Sequence, residues 1–324
     1  NLFKRKERDT KVGKTKRALI SVSDKSGIIE LARGLIKVGY EIISTGGTAK
    51  VLKDSGIKVT LISELTGFPE ILDGRVKTLH PLIFGGLLAK GNNPAHQREL
   101  NKQGVVPIGI VVVNLYPFEK AINQEDISLD EAIENIDIGG PSLLRASAKN
   151  YQDVTVVIDP NDYKVILREL LSSEGGVSLN TRKKLAVKVF QHTSYYDSLI
   201  SRYLTRKIIP NEDIFTDYLV MGAEKVDLLR YGENPHQKAV FYREKIIGEA
   251  NLGNAQLLSG KELSFNNLVD LDSAMAIVKD FDEPTVTFIK HTNPCGLATS
   301  ETIENAYQKA YLGDPLSAYG SIVG

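Results

Sequence analysis

The sequence of 324 residues has few of the features that mark secreted, membrane and nucleic-acid-binding proteins. It contains a single cysteine, Cys295, which excludes an internal disulfide framework and favours a reducing compartment. Forty basic residues balance forty acidic ones, so no overall field attracts nucleic acid or an anionic membrane. No apolar run approaches the roughly 20 residues of a membrane span. With 42% hydrophobic and 25% charged residues, the composition predicts a cytoplasmic globular protein long enough for two domains.

The N-terminal segment is the one strongly basic part of the chain. Residues 1–17 carry eight Lys or Arg against Glu7 and Asp9, with little apolar content. The two acids and the lack of serine disfavour a transit peptide. A nucleic-acid-binding arm remains an alternative, but a disordered tail over residues 1–16 is the prediction.

Short apolar runs alternate with helical patterns over residues 17–158. The apolar runs predict strands at residues 18–22, 40–43, 57–61, 83–89, 108–113 and 154–158. Helical spacing predicts a helix over 28–36 with Ser23 or Asp24 as N-cap, a short helix through Leu52, and a long helix over 180–204. After a Gly-Gly turn, Leu143, Leu144, Ala146 and Ala148 mark the packing side of another helix. This alternation predicts a doubly wound parallel α/β domain with its ligand beyond the carboxyl ends of the strands.

Polar segments follow several of these predicted strands. Residues 73–81 read DGRVKTLHP, where Arg75 can hold a phosphate or carboxylate and Lys77 adds a mobile charge. The segments SDK at 23–25 and TGGT at 45–48 follow strands and open helices, where free backbone N–H groups bind anions. Asn114 and Tyr116 follow the most apolar strand and should face the same crevice. Taken alone, residues 73–81 could be a surface loop, Asp137 a helix cap and Lys149 a charge serving a helix dipole.

Five ordered motifs together resemble a known family. They are SVSDK at 21–25, STGGT at 44–48, GRVKTLHP at 74–81, NLYP at 114–117 and IDIGG at 136–140. The sequence resembles the bifunctional purine-biosynthesis family that joins IMP cyclohydrolase to AICAR transformylase, from near Arg17 to the end of the chain. The resemblance implies a methylglyoxal-synthase-like fold for the first domain, a cytoplasmic location and an intertwined homodimer.

The resemblance also implies roles for individual residues of the cyclohydrolase, which needs neither cofactor nor metal. Lys149 matches the proton-shuttling residue, with Tyr116 and Asp137 as its helpers and Lys77 as a further catalytic residue. The positions that match contacts to IMP or formyl-AICAR are Ser23, Asp24, Lys25, Thr45, Gly46, Gly47, Thr48, Arg75, Val76, Lys77, Thr78, Asn114, Leu115, Asp137 and Ile138. In agreement, the five histidines and one cysteine show no metal-ligand spacing.

The second part of the chain resembles the start of the family's transformylase. Its AICAR contacts match Arg230, Tyr231, His291 and Gly320, and its co-substrate is 10-formyltetrahydrofolate. His291 and Lys290 are the catalytic candidates, because formyl transfer needs a base for the amine proton and a cation for the oxyanion. Cys295 could instead be a nucleophile, but no separate His/Asp constellation supports it, and a small buried thiol is preferred.

The resemblance implies an order of domains and an incomplete second domain. We expect a tail at 1–16, a cyclohydrolase domain at 17–205, a linker at 206–222 and an N-terminal part of the transformylase at 223–324. The family's transformylase continues for a long stretch past the position of Gly324, so this second domain is expected to be incomplete, marginally stable and inactive in formyl transfer. Two alternatives are a regulatory module that only binds a phosphorylated effector and a phosphate-eliminating lyase with Asp24 as its base.

Overall fold

The computed structural model describes residues 16–124, 126–173, 176–209, 217–244 and 250–324. The chain divides into two compact units, residues 1–220 and 221–324. The predicted tail lies almost entirely outside the described residues, as does part of the predicted linker. In the described segments, no helix combines the length and the apolar character that crossing a membrane requires.

The first unit alternates strands and helices. In chain order its elements are β1 (Lys16–Val22), α1 (Ile28–Lys37), β2 (Tyr40–Ser44), α2 (Gly46–Asp54), β3 (Val59–Leu61), α3 (Ile62–Thr66), α4 (Pro81–Leu88), α5 (Pro94–Gln103), β4 (Ile108–Asn114), α6 (Phe118–Ile122), α7 (Leu129–Glu134), α8 (Gly139–Lys149), β5 (Thr155–Val157), α9 (Tyr163–Ser172) and α10 (Leu179–Ile208).

The five strands form one parallel sheet in the order β3-β2-β1-β4-β5. The chain adds β2 and β3 on one side of β1 and then returns to add β4 and β5 on the other. The carboxyl ends of β1 and β4 therefore flank a topological switch point, where open α/β sheets bind their ligands. This topology confirms the predicted doubly wound fold.

Apolar side chains cover both faces of the sheet, as buried parallel strands require. In β1, Leu19 packs in one core cluster, while Ala18 and Ile20 pack in the other. In β4, Val111 and Val113 take the first side, and alternate residues take the second. The helices α8 and α10 cover one face, and α1 and α9 cover the opposite one. The sheet therefore lies between two layers of helices.

The predicted strand at residues 83–89 is wrong, because these residues form most of helix α4. Pro81 occupies the first turn, and the His80 ring nitrogen accepts a hydrogen bond from the Leu82 N–H at 3.2 Å. The buried residues Ile83 and Leu87 are four apart, which is a helical period. A short apolar run fits either structure, and the capping residues before it decide the outcome.

Two further details of the first unit differ from the predictions. Neither Ser23 nor Asp24 caps α1, because the N-cap is Gly27, which has φ 68° and no side-chain acceptor. Asp24 instead closes the preceding turn by accepting from the Ser26 N–H at 2.9 Å. The long helix α10 also continues to Ile208, four residues past its predicted end, so the predicted linker begins inside a helix.

The second unit contains a hairpin and a small three-stranded antiparallel sheet packed with helices. In chain order its elements are β6 (Glu224–Leu229), β7 (Ala239–Arg243), α11 (Phe265–Val278), β8 (Thr285–Lys290), β9 (Asn293–Thr299), α12 (Ile303–Gly313), α13 (Pro315–Ala318) and β10 (Ile322–Val323). The strands β6 and β7 pair antiparallel, and β8 lies between β10 and β9. Its small core joins Val286 and Phe288 of β8 to Ala306 and Ala310 of α12. Helices and strands are again combined, as predicted.

Candidate active site

A pocket of about 650 Å³ opens at the carboxyl edge of the first unit's sheet. It lies at the switch point between β1 and β4, and its size suits a mononucleotide. Five loops converge on it, and they are the five motif segments of the sequence. The lining residues are Ser21, Val22, Ser23, Lys25, Thr45, Gly46, Gly47, Thr48, Asp73, Gly74, Arg75, Lys77, Thr78, Val113, Asn114, Tyr116, Ile133, Glu134, Asn135, Ile136, Asp137, Ile138, Gly139, Gly140 and Leu143.

One side of the pocket is formed by the N-terminus of α2. Its N-cap, Thr45, makes no side-chain cap bond, so the first-turn N–H groups are left for a ligand. Thr48 fixes this turn to β1, accepting from the Val22 N–H at 3.1 Å and donating to the Val22 carbonyl at 3.0 Å. The Lys25 ammonium donates to the same carbonyl and to Thr48 Oγ1, and burial lowers its pKa. A helix N-terminus next to an ammonium is a site for phosphate.

Asn114 joins the ends of β1 and β4. Its side-chain oxygen accepts from the Ser23 N–H at 2.6 Å, the Asp24 N–H at 2.9 Å and the Ser23 hydroxyl at 2.9 Å. These bonds orient the amide, and its Nδ2 is buried with no hydrogen-bond partner in the described part of the chain. A buried amide donor without an acceptor is costly, so a ligand oxygen is the natural partner. Asn114 therefore presents a fixed donor in the pocket.

Asp137 lies where the chain enters α8. Its Oδ1 accepts from the Gly140 N–H at 2.8 Å, which turns the carboxylate toward the start of the helix. This packing requires glycine, because a Cβ on Gly140 would lie 2.4 Å from Asp137 Oδ2 and 2.7 Å from Leu115 Cδ2. Similarly, a Cβ on Gly139 would lie 2.9 Å from Thr78 Oγ1. The IDIGG segment thus brings a carboxylate and a hydroxyl close to the backbone of α8.

The loop before α4 supplies two more cationic side chains. Arg75 is exposed and pairs with Glu134 through Nε to Oε2 at 3.2 Å and through Nη2 to Oε1. Its guanidinium therefore already has a carboxylate partner that an anionic ligand would have to displace. Lys77 also lines the pocket, and Thr78 is buried against Gly139. Two cations and one buried hydroxyl thus come from a single loop.

Most of the predicted contact residues line this pocket, and three do not. Leu115 points into the core, because side chains alternate along an extended segment and Asn114 and Tyr116 take the pocket side. Val76 forms an isolated bridge with Ile71. The Asp24 side chain stays in its own turn, where its hydrogen bonds with Ser26 lower the pKa of the carboxyl.

Lys149 is also outside the pocket, although the sequence suggested that it lies beside Asp137. It is the last residue of α8, whereas the pocket contacts the first residues of that helix. At 1.5 Å per residue, ten steps along the helix separate the two ends by about 15 Å. The catalytic role of Lys149 stays a prediction, and within one chain the geometry does not support it.

Sequence reasoning missed several lining residues. Ile133, Glu134, Asn135 and Ile136 close one wall from the end of α7, and Gly139, Gly140 and Leu143 close another from α8. The glycines carried a usable signal, because two adjacent glycines at a helix start indicate close approach of other groups. Glu134 gave no such signal, because acidic residues are common at the ends of surface helices.

None of the candidate residues of the second unit lines the pocket of that unit. That pocket, of about 440 Å³, is lined by Gly232, Glu233, Gln237, Lys238 and Phe265. The Arg230 guanidinium lies 5.0 Å from the centre of the Tyr231 ring, and the Lys290 ammonium donates to the Tyr319 carbonyl at 3.1 Å.

His291 opens the turn between β8 and β9, at φ 52°, and its side chain is exposed. Gly320 has φ 75°. Cys295 is half-buried, with Sγ 3.4 Å from the Phe288 carbonyl oxygen, as a packing thiol would be.

Comparisons with known proteins agree with this arrangement. An MGS-like domain profile matches residues 27–142, and the AICARFT/IMPCHase bienzyme profile matches residues 147–324. This chain is similar to the bifunctional purine biosynthesis proteins PurH of three bacteria. The identities are 56% with the protein of Acetivibrio thermocellus, 55% with that of Ruminiclostridium cellulolyticum and 53% with that of Lysinibacillus sphaericus. Each match covers 95% of this chain and 59% of the relative.

A solved structure is also similar. It is described as the crystal structure of ForH, and the match has 35% identity and a TM-score of 0.54, covering 57% of this chain and 95% of that one. The chain thus spans about three fifths of the PurH relatives' length. Because the bienzyme profile covers more than half of its residues, the chain belongs to the AICARFT/IMPCHase bienzyme family.

Proposed function

We propose that the first unit closes formyl-AICAR to IMP with loss of water. The supporting observation is the convergence of five loops on one pocket that holds an α2 N-terminus for phosphate, a fixed Asn114 donor, and the side chains of Lys77, Tyr116 and Asp137. The reacting groups belong to one molecule, so holding them in the attack geometry supplies much of the acceleration. The pocket offers groups for both ends of the substrate.

The chemistry moves two protons from nitrogen to oxygen. The carboxamide nitrogen attacks the formyl carbon and loses one proton as the C–N bond forms, and the formyl oxygen becomes a hydroxyl. The hydroxyl then takes a second proton and leaves as water, while the formylated nitrogen loses its proton and a C=N bond replaces the broken C–O bond. In our proposal Asp137 accepts the proton from the attacking nitrogen, and Lys77 stabilises and protonates the oxygen, assisted by the Tyr116 hydroxyl. No metal or cofactor takes part in these steps. In the described residues, no three His, Cys, Asp or Glu side chains cluster as a metal site would need.

The test is a spectroscopic assay of IMP formation from formyl-AICAR. We expect turnover that survives EDTA and needs no folate. The variant Lys77→Ala should lower kcat by about 10²-fold or more, since general acid–base groups contribute that much. The control is Lys102→Ala at the exposed end of α5, which should match the unchanged chain. No turnover by the unchanged chain, or a requirement for added divalent metal, would refute the assignment.

Two other functions on this fold receive less support. An effector-binding module without chemistry would use the phosphate loops but gives no reason for the convergence of Lys77, Tyr116 and Asp137. A phosphate-eliminating lyase would need a carboxylate base, and its candidate, Asp24, is engaged with Ser26 and does not line the pocket.

We propose that the second unit contributes to formyl transfer from 10-formyltetrahydrofolate to AICAR in the whole bienzyme. Arg230, Tyr231, His291 and Gly320 would contact AICAR, with Lys290 and His291 as the catalytic pair. The activity we assign to these 324 residues is the cyclohydrolase. Titration with AICAR checks the first step, and Arg230→Ala should weaken the binding. Equal affinity in that variant would remove Arg230 from the site.

We also propose that the protein is a cytoplasmic homodimer. The support within the first unit is a set of exposed apolar side chains on α10, including Val187 and Phe190, which are 57% and 41% exposed. Light scattering at micromolar concentration should give twice the chain mass. A monomer would contradict the proposal.

A further inference from the structure

The backbone of Asp137 is held by a side chain from outside the pocket. The Asp137 N–H donates to the hydroxyl oxygen of Tyr196 at 2.8 Å. Tyr196 lies in the middle of α10 and is 5% exposed, and it is not among the residues that line the pocket. Because Oδ1 also accepts from the Gly140 N–H, Asp137 is fixed at two points, one on its backbone and one on its carboxylate.

The Tyr196 ring is itself held in place by the core. Its centroid lies 6.3 Å from that of Phe118, at an interplanar angle of 70°, which is a favourable edge contact. Phe118 is fully buried at the start of α6, four residues after β4 ends. The hydroxyl is therefore anchored relative to the end of β4, from which Asn114 and Tyr116 reach the pocket. Burial raises the pKa of the Tyr196 phenol, so it stays neutral.

We propose that Tyr196 is a positioning residue for the cyclisation: its hydroxyl fixes the backbone at Asp137 and so sets where the carboxylate meets the substrate. The inference rests on the cyclohydrolase function proposed above. Tyr196 does not line the pocket, so in this proposal its effect on the reaction passes through one hydrogen bond. A displacement of about 1 Å at a reacting group can cost about 10²-fold in rate. Losing one of the two tethers should therefore lower kcat by roughly 10- to 100-fold.

The chain provides a matched control on the same helix. Tyr203 also packs its ring on Phe118, with centroids 5.7 Å apart at 88°. Its hydroxyl is buried, but within the described ranges it has no hydrogen-bond partner. Tyr196→Phe and Tyr203→Phe thus remove the same atom from the same helix and leave both ring contacts with Phe118. Only the first variant removes a bond to Asp137.

The experiment compares these two variants with the unchanged chain. For Tyr196→Phe we expect a 10- to 100-fold lower kcat, a KM for formyl-AICAR and an IMP affinity within about twofold, and faster hydrogen exchange at the Asp137 amide. Tyr203→Phe should keep kcat and the exchange rate. A general loosening of α10 would instead lower the melting temperature and IMP affinity, and that outcome overturns the proposal.

A kcat for Tyr196→Phe within twofold of the unchanged chain also overturns it. The failure of the proposed function is recognised separately, because then the unchanged chain forms no IMP. In that case unchanged exchange at the Asp137 amide in Tyr196→Phe would still refute the tether, since the exchange measurement needs no substrate.

Discussion

The substitution Gly140→Ala tests whether the Asp137 carboxylate must lie where the structure places it. Gly140 is the second residue of α8, and an added Cβ would lie 2.4 Å from Asp137 Oδ2, 3.0 Å from its Cγ and 2.7 Å from Leu115 Cδ2. Contacts under 3.0 Å are essentially never seen for a real Cβ, so the carboxylate or the helix start must shift by several tenths of an ångström or more.

The expected effect is large on turnover and small on stability. Alanine favours the helix over glycine by about 0.5–1 kcal/mol, which offsets part of the cost of the clash. The carboxylate is the more mobile neighbour, because Leu115 is packed in the core. A displacement near 1 Å corresponds to a loss of about 10²-fold in kcat. Binding of the phosphate end should survive, since the α2 N-terminus is untouched.

The control is Gly85→Ala, in the middle of α4 and outside the pocket. There an added Cβ would meet only side-chain methyls, the nearest being Val105 Cγ1 at 3.6 Å, which is an ordinary contact. We expect unchanged kcat and a gain of about 0.5–1 kcal/mol in stability. Steady-state assays of IMP formation and urea unfolding measure both quantities. A kcat for Gly140→Ala within twofold of the unchanged chain would refute the role assigned to Asp137.

Three further predictions concern ionisable side chains of the first unit. Glu134→Gln should lower the KM for formyl-AICAR, by up to about fivefold, because an exposed ion pair is worth at most about 1 kcal/mol and the change frees Arg75; a higher KM in steady-state assays would contradict this. Lys149→Ala should leave IMP affinity unchanged by calorimetry, because its side chain lies outside the pocket, and a large loss of affinity would show that it reaches the ligand. Burial lowers the pKa of His192 below its usual 6.5, with Asp159 opposing and Lys188 adding to the shift. The unfolded state then binds more protons, so the free energy of unfolding should fall as pH drops below about 6.5, by at most about 1.4 kcal/mol per pH unit. His192→Gln should flatten that slope in urea unfolding between pH 7.5 and 5.5, and an unchanged slope would exclude His192 as its cause.

The convergence of the loops was predictable because it follows from topology. Parallel strands end at one edge, so polar segments after β1, β2 and β4 had to meet there whatever their side chains did in detail. Side chains alternate along an extended segment, so Leu115 could have been predicted to face away from Asn114 and Tyr116. The family resemblance gave roles to all three residues, and this alternation was overlooked. The sequence pattern therefore predicts the edge of the sheet at which the motifs meet, whereas the direction of each side chain is seen only in the structure.

Two differences between the sequence-based expectations and the structure concern helices. Lys149 follows Asp137 by twelve residues in sequence, yet α8 runs away from the pocket and carries it to the far edge. The mistaken strand at 83–89 had its deciding signal just outside the apolar run, in His80 and Pro81. The place of Lys149 depends on the direction of the helix axis, whereas the helix at 81–88 depends on the residues that cap it.

Backbone strain provides a sign of function that the sequence did not show. Within the described ranges, the non-glycine residues with positive φ are Leu72, Asp73, Asp126, His291 and Thr292. Leucine and threonine give no hint of this conformation, which costs of order 1–3 kcal/mol for each residue. Four of the five lie at candidate sites: the first pair precedes Arg75, and the second contains His291.

Local bonds hold both strained turns in place. The Ile71–Val76 bridge closes the first turn. In the second, Asp270 Oδ1 accepts from the Thr292 N–H at 2.8 Å, and the Asn293 amide donates to the His291 carbonyl at 2.7 Å. These bonds stabilise backbone conformations that a relaxed loop would not adopt. The strained residues lie next to Arg75 and at His291. Backbone strain of this kind is typical of turns that hold a functional side chain in one position.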